Sequence, residues 1–121
     1  MGKDTIYSRF SQWATRQPDA TAVVEDGRSI TFDGLDRLAD AIMEKFHGER
    51  HQFIGIIMSH SIEMIAAMLA VLKSGTAYVP AEPSLPRERI DYMMKTAGVR
   101  LVITDEFCRD IAPKHAATFH D

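Results

Sequence analysis

The side chains that could carry chemistry in this 121-residue chain are few and lie far apart in the sequence. His47 and His51 have the four-residue spacing with which a helix can hold zinc. Gly48 between them indicates that a helix ends there, and a metal site needs a closed set of ligands. We therefore interpret both as solvated histidines. His115 and His120 lie in a weakly patterned C-terminal segment, where a metal site is less favoured still.

Cys108 is the only cysteine, so no internal disulfide can form, and a single free thiol fits a reducing compartment. Asp110 and His115 follow it, but a cysteine–histidine nucleophilic pair needs both groups close in space. No strand-to-helix frame in this part of the sequence would bring them together. A reactive thiol also needs an electropositive, structured surrounding. We interpret Cys108 as non-catalytic.

The remaining candidates also favour structural roles. Glu25 and Asp26 are adjacent carboxylates on a predicted hairpin, where neighbouring side chains point apart, so a solvated turn is the better interpretation. Lys73 lies in the last turn of a predicted helix, where a cation is favoured by the helix dipole. The methionines predicted to fill the core are Met58, Met64, Met68, Met93 and Met94.

No phosphate-binding loop is encoded. The seven glycines are scattered, and neither G-x-x-x-x-G-K-S/T nor G-x-G-x-x-G occurs. We therefore predict no catalytic, cofactor-binding or metal-ligating residue in this chain. Its net charge of −3, from 14 basic and 17 acidic residues, gives no footprint for nucleic acid or anionic lipid. No apolar run reaches membrane-spanning length, so neither a membrane nor nucleic acid is expected as a partner. No signal peptide is evident, and the predicted location is therefore cytoplasmic.

The hydrophobic pattern predicts helices alternating with strands over the size of one domain. Asp26-Gly27 favours a two-residue hairpin between strands 21–25 and 28–31. The continuous apolar run 53–58 is typical of a strand covered on both faces, as in a parallel sheet. Further strands are predicted at 78–80 and 101–104. Helices are predicted from Asp4 or Thr5 to Pro18, from about Thr31 to Gly48, from Ser59 or Ser61 to Gly75, and from Ser84 (a possible cap) to Gly98.

The fold class is therefore α/β: a mainly parallel sheet with crossover helices plus an N-terminal β-hairpin. Ile6, Phe10 and Trp13 are expected on one face of the first helix. After residue 104 the pattern weakens. Asp105 could cap a short turn through Ile111, and we expect 105–121 to be a weakly structured tail.

One segment carries a family resemblance. Leu72–Pro83, a helix end, a glycine turn and a short strand leaving through prolines, resembles a core motif of adenylate-forming enzymes. Those enzymes activate carboxylic acids with ATP, and the adenylation domains of nonribosomal peptide synthetases are the nearest. Similar blocks occur in the family's order at Ala22–Leu35, Gly55–Met64, Pro86–Tyr92 and Gly98–Thr104.

Two positions depart from the family pattern. Gly34 stands where the family usually has glutamate, which removes a carboxylate from the first turn of a helix. Ser59 and His60 stand where an Asp-Arg pair is common, so the fixed charge pair of the family is lost here. The resemblance extends over roughly residues 6–104.

The resemblance implies an N-terminal part, residues 1–104, of a larger adenylation domain that uses ATP and Mg²⁺. The family's phosphate loop, ribose-binding aspartate and catalytic lysine have no counterpart among these residues, so we expect the chain alone to be inactive. Expected partners are the remainder of the adenylation domain, or a second copy covering exposed apolar surface, and a carrier protein for the complete enzyme. The acid that is activated and the acyl acceptor are not encoded here.

Two alternatives stay open. The chain could be a stand-alone α/β binding or assembly module without catalysis. It could also be a flavodoxin-like or Rossmann-like nucleotide binder, although the missing glycine-rich first turn argues against this.

Overall fold

The computed structural model describes residues 10, 12, 14–25, 27–46, 52–105, 108–111, 113 and 117–120. Residues 14–16 are helical. The strands are β1 (Thr21–Glu25), β2 (Arg28–Thr31), β3 (Phe53–Ile57), β4 (Ala77–Pro80), β5 (Leu101–Thr104) and β6 (Ala117–His120). The helices are α1 (Phe32–Lys45), α2 (Ile62–Lys73) and α3 (Arg87–Thr96), with a 3-10 turn at Arg109–Ile111. No helix in these ranges is long and apolar enough to span a bilayer.

The predicted hairpin is confirmed. β1 and β2 pair antiparallel from Glu25 opposite Arg28 to Thr21 opposite Thr31. Gly27 has φ +80°, a conformation that costs a glycine little and suits the tight turn. The hairpin leads directly into α1, whose N-cap is Thr31: its Oγ1 accepts a hydrogen bond from the Gly34 amide at 3.0 Å.

Gly34 itself sits in a crowded place. A Cβ added there would lie 3.0 Å from Ile30 Cγ1 and 3.2 Å from Thr31 Oγ1. Glycine at this position therefore allows the hairpin and the start of α1 to pack closely.

The other four strands form one parallel sheet in the order β4-β3-β5-β6. Ile54 and Ile56 of β3 belong to the apolar cluster that includes α1 and α2. Ile57 belongs to the cluster on the other face, built with Ile90 and Met94 of α3. The doubly covered strand and the α/β fold class are thus confirmed.

The ends of α2 and the start of α3 are set by different capping and turn residues. Ser61 caps α2 by accepting from the Met64 amide at 3.1 Å, and the turn after α2 has Gly75 at φ +81°. α3 begins at Arg87 after Pro86, with no side-chain cap. The prediction that Ser84 caps this helix was therefore wrong, because a proline with its fixed φ already starts it.

The C-terminal segment differs from the predicted weakly structured tail. Residues 117–120 form β6 and pair with β5 in parallel, and Pro113 is buried. A four-residue strand of mixed polarity has no period that sequence patterning can detect, and its backbone pairing comes from β5. Asp105 does cap the short turn: its Oδ1 accepts from the Cys108 amide at 2.9 Å. Ile6, Trp13 and Gly48 lie outside the described residues.

Lys73 joins the two helices on one face of the sheet. Its Nζ donates to Asp36 Oδ1 at 2.6 Å and to Asp40, both on α1. Burial alone would lower the pKa of Lys73, but the two carboxylates outweigh it, and the pKa is raised. The lysine lies in the last turn of α2 as predicted, and it also holds α1 to α2.

Gly55 is closely packed in the core. A Cβ at this position would lie 2.7 Å from Met94 Sδ and 3.2 Å from Val102 Cγ2, and both of those residues are fully buried. We expect Gly55→Val to lower the free energy of unfolding by about 2 kcal/mol, because overpacking strains a closed core. Urea unfolding followed by circular dichroism measures this.

Ala77→Val is the matched control, since it adds methyl groups to the same sheet at an exposed position of β4. It should change stability by less than about 0.5 kcal/mol. Equal stability of Gly55→Val and wild type would contradict the close packing of Gly55 against α3.

Candidate functional site

The carboxyl ends of β3, β4 and β5 meet at one edge of the sheet. The chain leaves β3 for β4 on one side and later returns to β5 on the other side of β3. Such a reversal creates a crevice at the carboxyl ends of the strands, which is where open α/β sheets commonly bind ligands. This carboxyl edge is therefore the place to look for a site.

Asp105 closes the crevice between β3 and β5. Its Oδ2 accepts from the Ser59 amide at 2.8 Å, while its Oδ1 accepts from the Cys108 amide. Burial alone would raise the pKa of Asp105, but the hydrogen bonds from Ser59 and Cys108 outweigh it, and the pKa is lowered. Both carboxylate oxygens thus hold backbone, and the group is poorly suited to act as a general base.

We call these two hydrogen bonds of Asp105 the Asp105 clamp. Cys108 belongs to it through its backbone amide, and the residue is only 2% exposed. Its Sγ is 3.9 Å from Ser59 Oγ. Burial raises the pKa of the thiol, and the neighbouring Asp105 raises it further. Catalytic thiols need the opposite shift. Asp110 is exposed in the following turn, and His115 lies outside the described residues.

Thr104 adds an incompletely satisfied group at the same edge. It is 0% exposed, and its Oγ1 has no hydrogen-bond partner within the part of the chain that the structure describes. Asp91 Oδ1 on α3 is also a buried atom without a hydrogen-bond partner among the described residues. The sequence does not indicate either atom, because the hydrogen-bond partners of a buried side chain depend on tertiary packing.

A small cleft opens between the carboxyl ends of β3 and β4. Its volume is about 180 Å³. Its walls are mostly apolar and its mouth carries His60 and Glu82, whose Nε2 and Oε1 atoms lie 3.1 Å apart. The lining residues are Ile56, Met58, His60, Met64, Pro80, Ala81, Glu82 and Pro83. We call this feature the β3–β4 cleft.

His60 therefore retains a carboxylate partner although the family's Asp-Arg pair is missing. Because an ionised carboxylate only accepts, the imidazole donates in this hydrogen bond. Both side chains are largely exposed, at 72% and 59%, so the pair forms a polar rim on an apolar cleft.

Glu25 is not the solvated turn residue that the sequence indicated. Its Oε1 accepts from the Ile62 amide at the start of α2 at 2.8 Å and from Arg28 at 2.6 Å. Arg28 also pairs with Glu63 at 3.0 Å, and this hydrogen bond lowers the pKa of Glu63. The hairpin is thereby fastened to α2, 37 residues later in the chain. Asp26 lies outside the described residues.

The donor set for a magnesium nucleotide is not assembled by these residues. The described part of the chain holds no group of three metal-ligating side chains. The glycines with positive φ, Gly27, Gly75 and Gly98, lie in separate turns and form no phosphate cradle. His47 and His51 lie outside the described residues; for His120 only the backbone, in β6, is described.

Comparison with known protein families identifies the family of this chain. The family model described as AMP-binding enzyme matches residues 10–120. This chain belongs to that family. The resemblance drawn from the core motifs is thus confirmed.

Two similar curated proteins are much longer synthases. Chondramide synthase of Chondromyces crocatus is 38% identical over 123 residues, which cover 96% of this chain and 3% of that protein. A linear gramicidin synthase from Brevibacillus parabrevis is 37% identical, over 93% of this chain and 2% of that protein. The chain thus spans a small fraction of the curated relatives that it matches.

Solved structures of this family have the same fold. The nonribosomal peptide synthetase FmoA3, in its AMPPNP-bound form, superposes with a TM-score of 0.85 at 33% identity over 94% of this chain and 13% of that one. The N-terminal subdomain of Klebsiella oxytoca NpsA gives 0.81 at 26% identity, covering 95% and 30%. The α/β arrangement of this family member is therefore that of adenylation domains.

The Asp105 clamp predicts a pH-dependent contribution to stability. Asp105→Asn should lower the free energy of unfolding at neutral pH by about 1 kcal/mol, because one charge-assisted acceptor is lost. Since the folded pKa is depressed, this difference is full above the ordinary carboxyl pKa of about 3.9. It shrinks as the pH falls through the lowered pKa of Asp105.

Urea unfolding of both proteins from pH 7 down to pH 2 measures this, with the exposed Asp110→Asn as control. A difference that does not depend on pH would contradict the role of the ionised carboxylate.

Cys108 should react slowly in the folded protein. Its burial and raised pKa predict modification by a maleimide or an aromatic disulfide at least about 100-fold slower than in 6 M urea. Stopped-flow or mass spectrometry follows the reaction. Equal rates in folded and unfolded protein would mean that the edge opens freely around Asp105.

Proposed function

We propose that this chain is the N-terminal part of an adenylation domain and that the completed domain activates a carboxylic acid, most simply an amino acid. The observation that carries the proposal is the match to FmoA3 along nearly the whole chain, at 33% identity and a TM-score of 0.85. Relatives such as linear gramicidin synthase support the choice of an amino acid substrate.

The proposed reaction is attack of the substrate carboxylate oxygen on the α-phosphorus of ATP, with departure of pyrophosphate. It requires neutralisation of phosphate charge by Mg²⁺ and backbone or side-chain donors. The described residues assemble no such donors, so in this proposal they come from the remainder of the domain. The chain alone is a scaffold without activity.

In this scheme the chain contributes packing surfaces. Its partner is the remainder of the adenylation domain, and a carrier protein receives the product of the whole enzyme. The proposed location is the cytoplasm, where ATP and amino acids are supplied together. A stand-alone binding module remains the alternative and is separated from this proposal by the following experiment.

The test is amino-acid-dependent ATP–pyrophosphate exchange by two proteins. One is the chain alone; the other is FmoA3 with its matching segment replaced by residues 10–120 of this chain. We expect exchange above background from the chimera and none from the chain, together with no calorimetric binding of Mg-ATP by the chain. FmoA3 itself is the positive control.

Micromolar binding of Mg-ATP to the chain alone would overturn the scaffold role. A chimera that folds, judged by cooperative unfolding, yet exchanges no pyrophosphate favours the stand-alone module instead.

A further inference from the structure

The β3–β4 cleft has the dimensions of a seat for one side chain. Its volume of about 180 Å³ is smaller than the roughly 300 Å³ at which pockets for small organic ligands begin. Met58 and Ala81 are 2% and 7% exposed and form its buried floor. Met64 is half-buried at its side. Flexible thioether side chains adapt to an inserted ring, so the cleft fits one large apolar or aromatic group.

The mouth of the cleft favours a cation beside that apolar group. Glu82 is 59% exposed, and its partner His60 is the only basic side chain lining the cleft within the described part of the chain. The guanidinium of Arg28 is already held by Glu25 and Glu63. An incoming lysine or arginine therefore meets a carboxylate at this rim.

The chain itself carries a group of this description. Tyr92 on α3 is 71% exposed. Residues three positions away on a helix lie on the same face, which places Arg89 and Lys95 on either side of it, and both are exposed. Glu88 shares this face, so the surface around Tyr92 carries two positive charges and one negative charge. We call it the Tyr92 knob.

The other exposed large apolar side chain does not match. Val24 is 72% exposed on β1, opposite Ser29, and the nearest arginine along the hairpin, Arg28, is occupied by Glu25 and Glu63. A valine also fills less of the cleft than a tyrosine ring. Among the exposed apolar groups described, Tyr92 alone pairs an aromatic ring with flanking cations.

We propose that the β3–β4 cleft binds the Tyr92 knob of a second copy of this chain. The ring enters among Met58, Met64 and Pro83, and Arg89 or Lys95 pairs with Glu82. The knob and the cleft are different surfaces, so the contact is heterologous, and two copies joined by one contact keep one free knob and one free cleft. Further copies can therefore add, and association grows with concentration.

The contact is small and should be weak, because interfaces far below about 1,200 Å² belong to transient complexes. Sedimentation equilibrium of the wild-type chain is expected to show an average mass that rises from 13.6 kDa as the concentration increases. Adding 0.5 M NaCl should weaken association several-fold, because the rim pair is exposed and screened.

Two variants each remove one half of the contact. Tyr92→Ala removes the knob, and Met64→Trp fills the cleft; each should weaken self-association at least about tenfold. Tyr92→Phe, which keeps the ring, should associate like wild type. Met43→Trp is the control for Met64→Trp, since it enlarges another half-buried methionine that lies outside both the cleft and the helix of the knob. Cooperative thermal unfolding confirms that each variant is folded.

Mixing the two variants gives the decisive result. Tyr92→Ala retains a cleft and Met64→Trp retains a knob, so their mixture is expected to form a complex of one copy of each and to grow no further. If Met64→Trp does not fold, Glu82→Arg replaces it as the cleft variant, with Glu44→Arg, at an exposed position of α1, as its control.

Wild-type chain that stays at the mass of one copy at millimolar concentration overturns the proposal. So does self-association that survives both Tyr92→Ala and the cleft variant, because another surface then forms the contact. Neither outcome depends on whether the chain takes part in adenylation.

Discussion

A central strand covered on both faces is the constraint on which this fold depends. β3 sends Ile54 and Ile56 toward α1 and α2, and Ile57 toward α3. Gly55 leaves room on the second face for Met94, whose Sδ would lie only 2.7 Å from an added Cβ. Polar side chains fit poorly along such a strand, and His60, Glu82 and Asp105 lie beyond the carboxyl ends of the strands.

Charged groups then fasten the layers from outside. Glu25 ties the hairpin to the start of α2, Lys73 ties α2 to α1, and Asp105 ties the ends of β3 and β5. Two of the three carboxylate-based contacts end on backbone amides at the start of a helix or turn, where a negative charge is favoured. In the sequence these charged side chains are candidates for catalysis. In the structure their carboxylate and ammonium groups form hydrogen bonds that hold the elements together.

The sequence revealed most of the fold because most of it is periodic. The apolar run 53–58, the stripes of the helices and the Asp26-Gly27 turn each specify an element locally, and the core motif at Leu72–Pro83 pointed to the family. The features that the sequence could not reveal depend on contacts between residues distant in the chain. Glu25 was expected to be solvated, yet its partner Ile62 is 37 residues away. β6 has no pattern of its own and exists through its pairing with β5. His60 and Glu82 belong to separate motifs, and only the parallel register of β3 and β4 brings them within 3.1 Å.

The carboxyl edge shows how one set of strand ends can be divided between two tasks. At the β3–β5 crevice, Asp105 uses both carboxylate oxygens to hold Ser59 and Cys108, and the thiol beneath it is held in its protonated form by burial. The place where an α/β sheet most readily builds a catalytic pocket is therefore closed by its own backbone contacts. The neighbouring β3–β4 cleft is lined mostly by apolar side chains, and its polar side chains, His60 and Glu82, pair with each other at the rim. An apolar cleft with a paired polar rim is suited to receive a side chain from another protein surface.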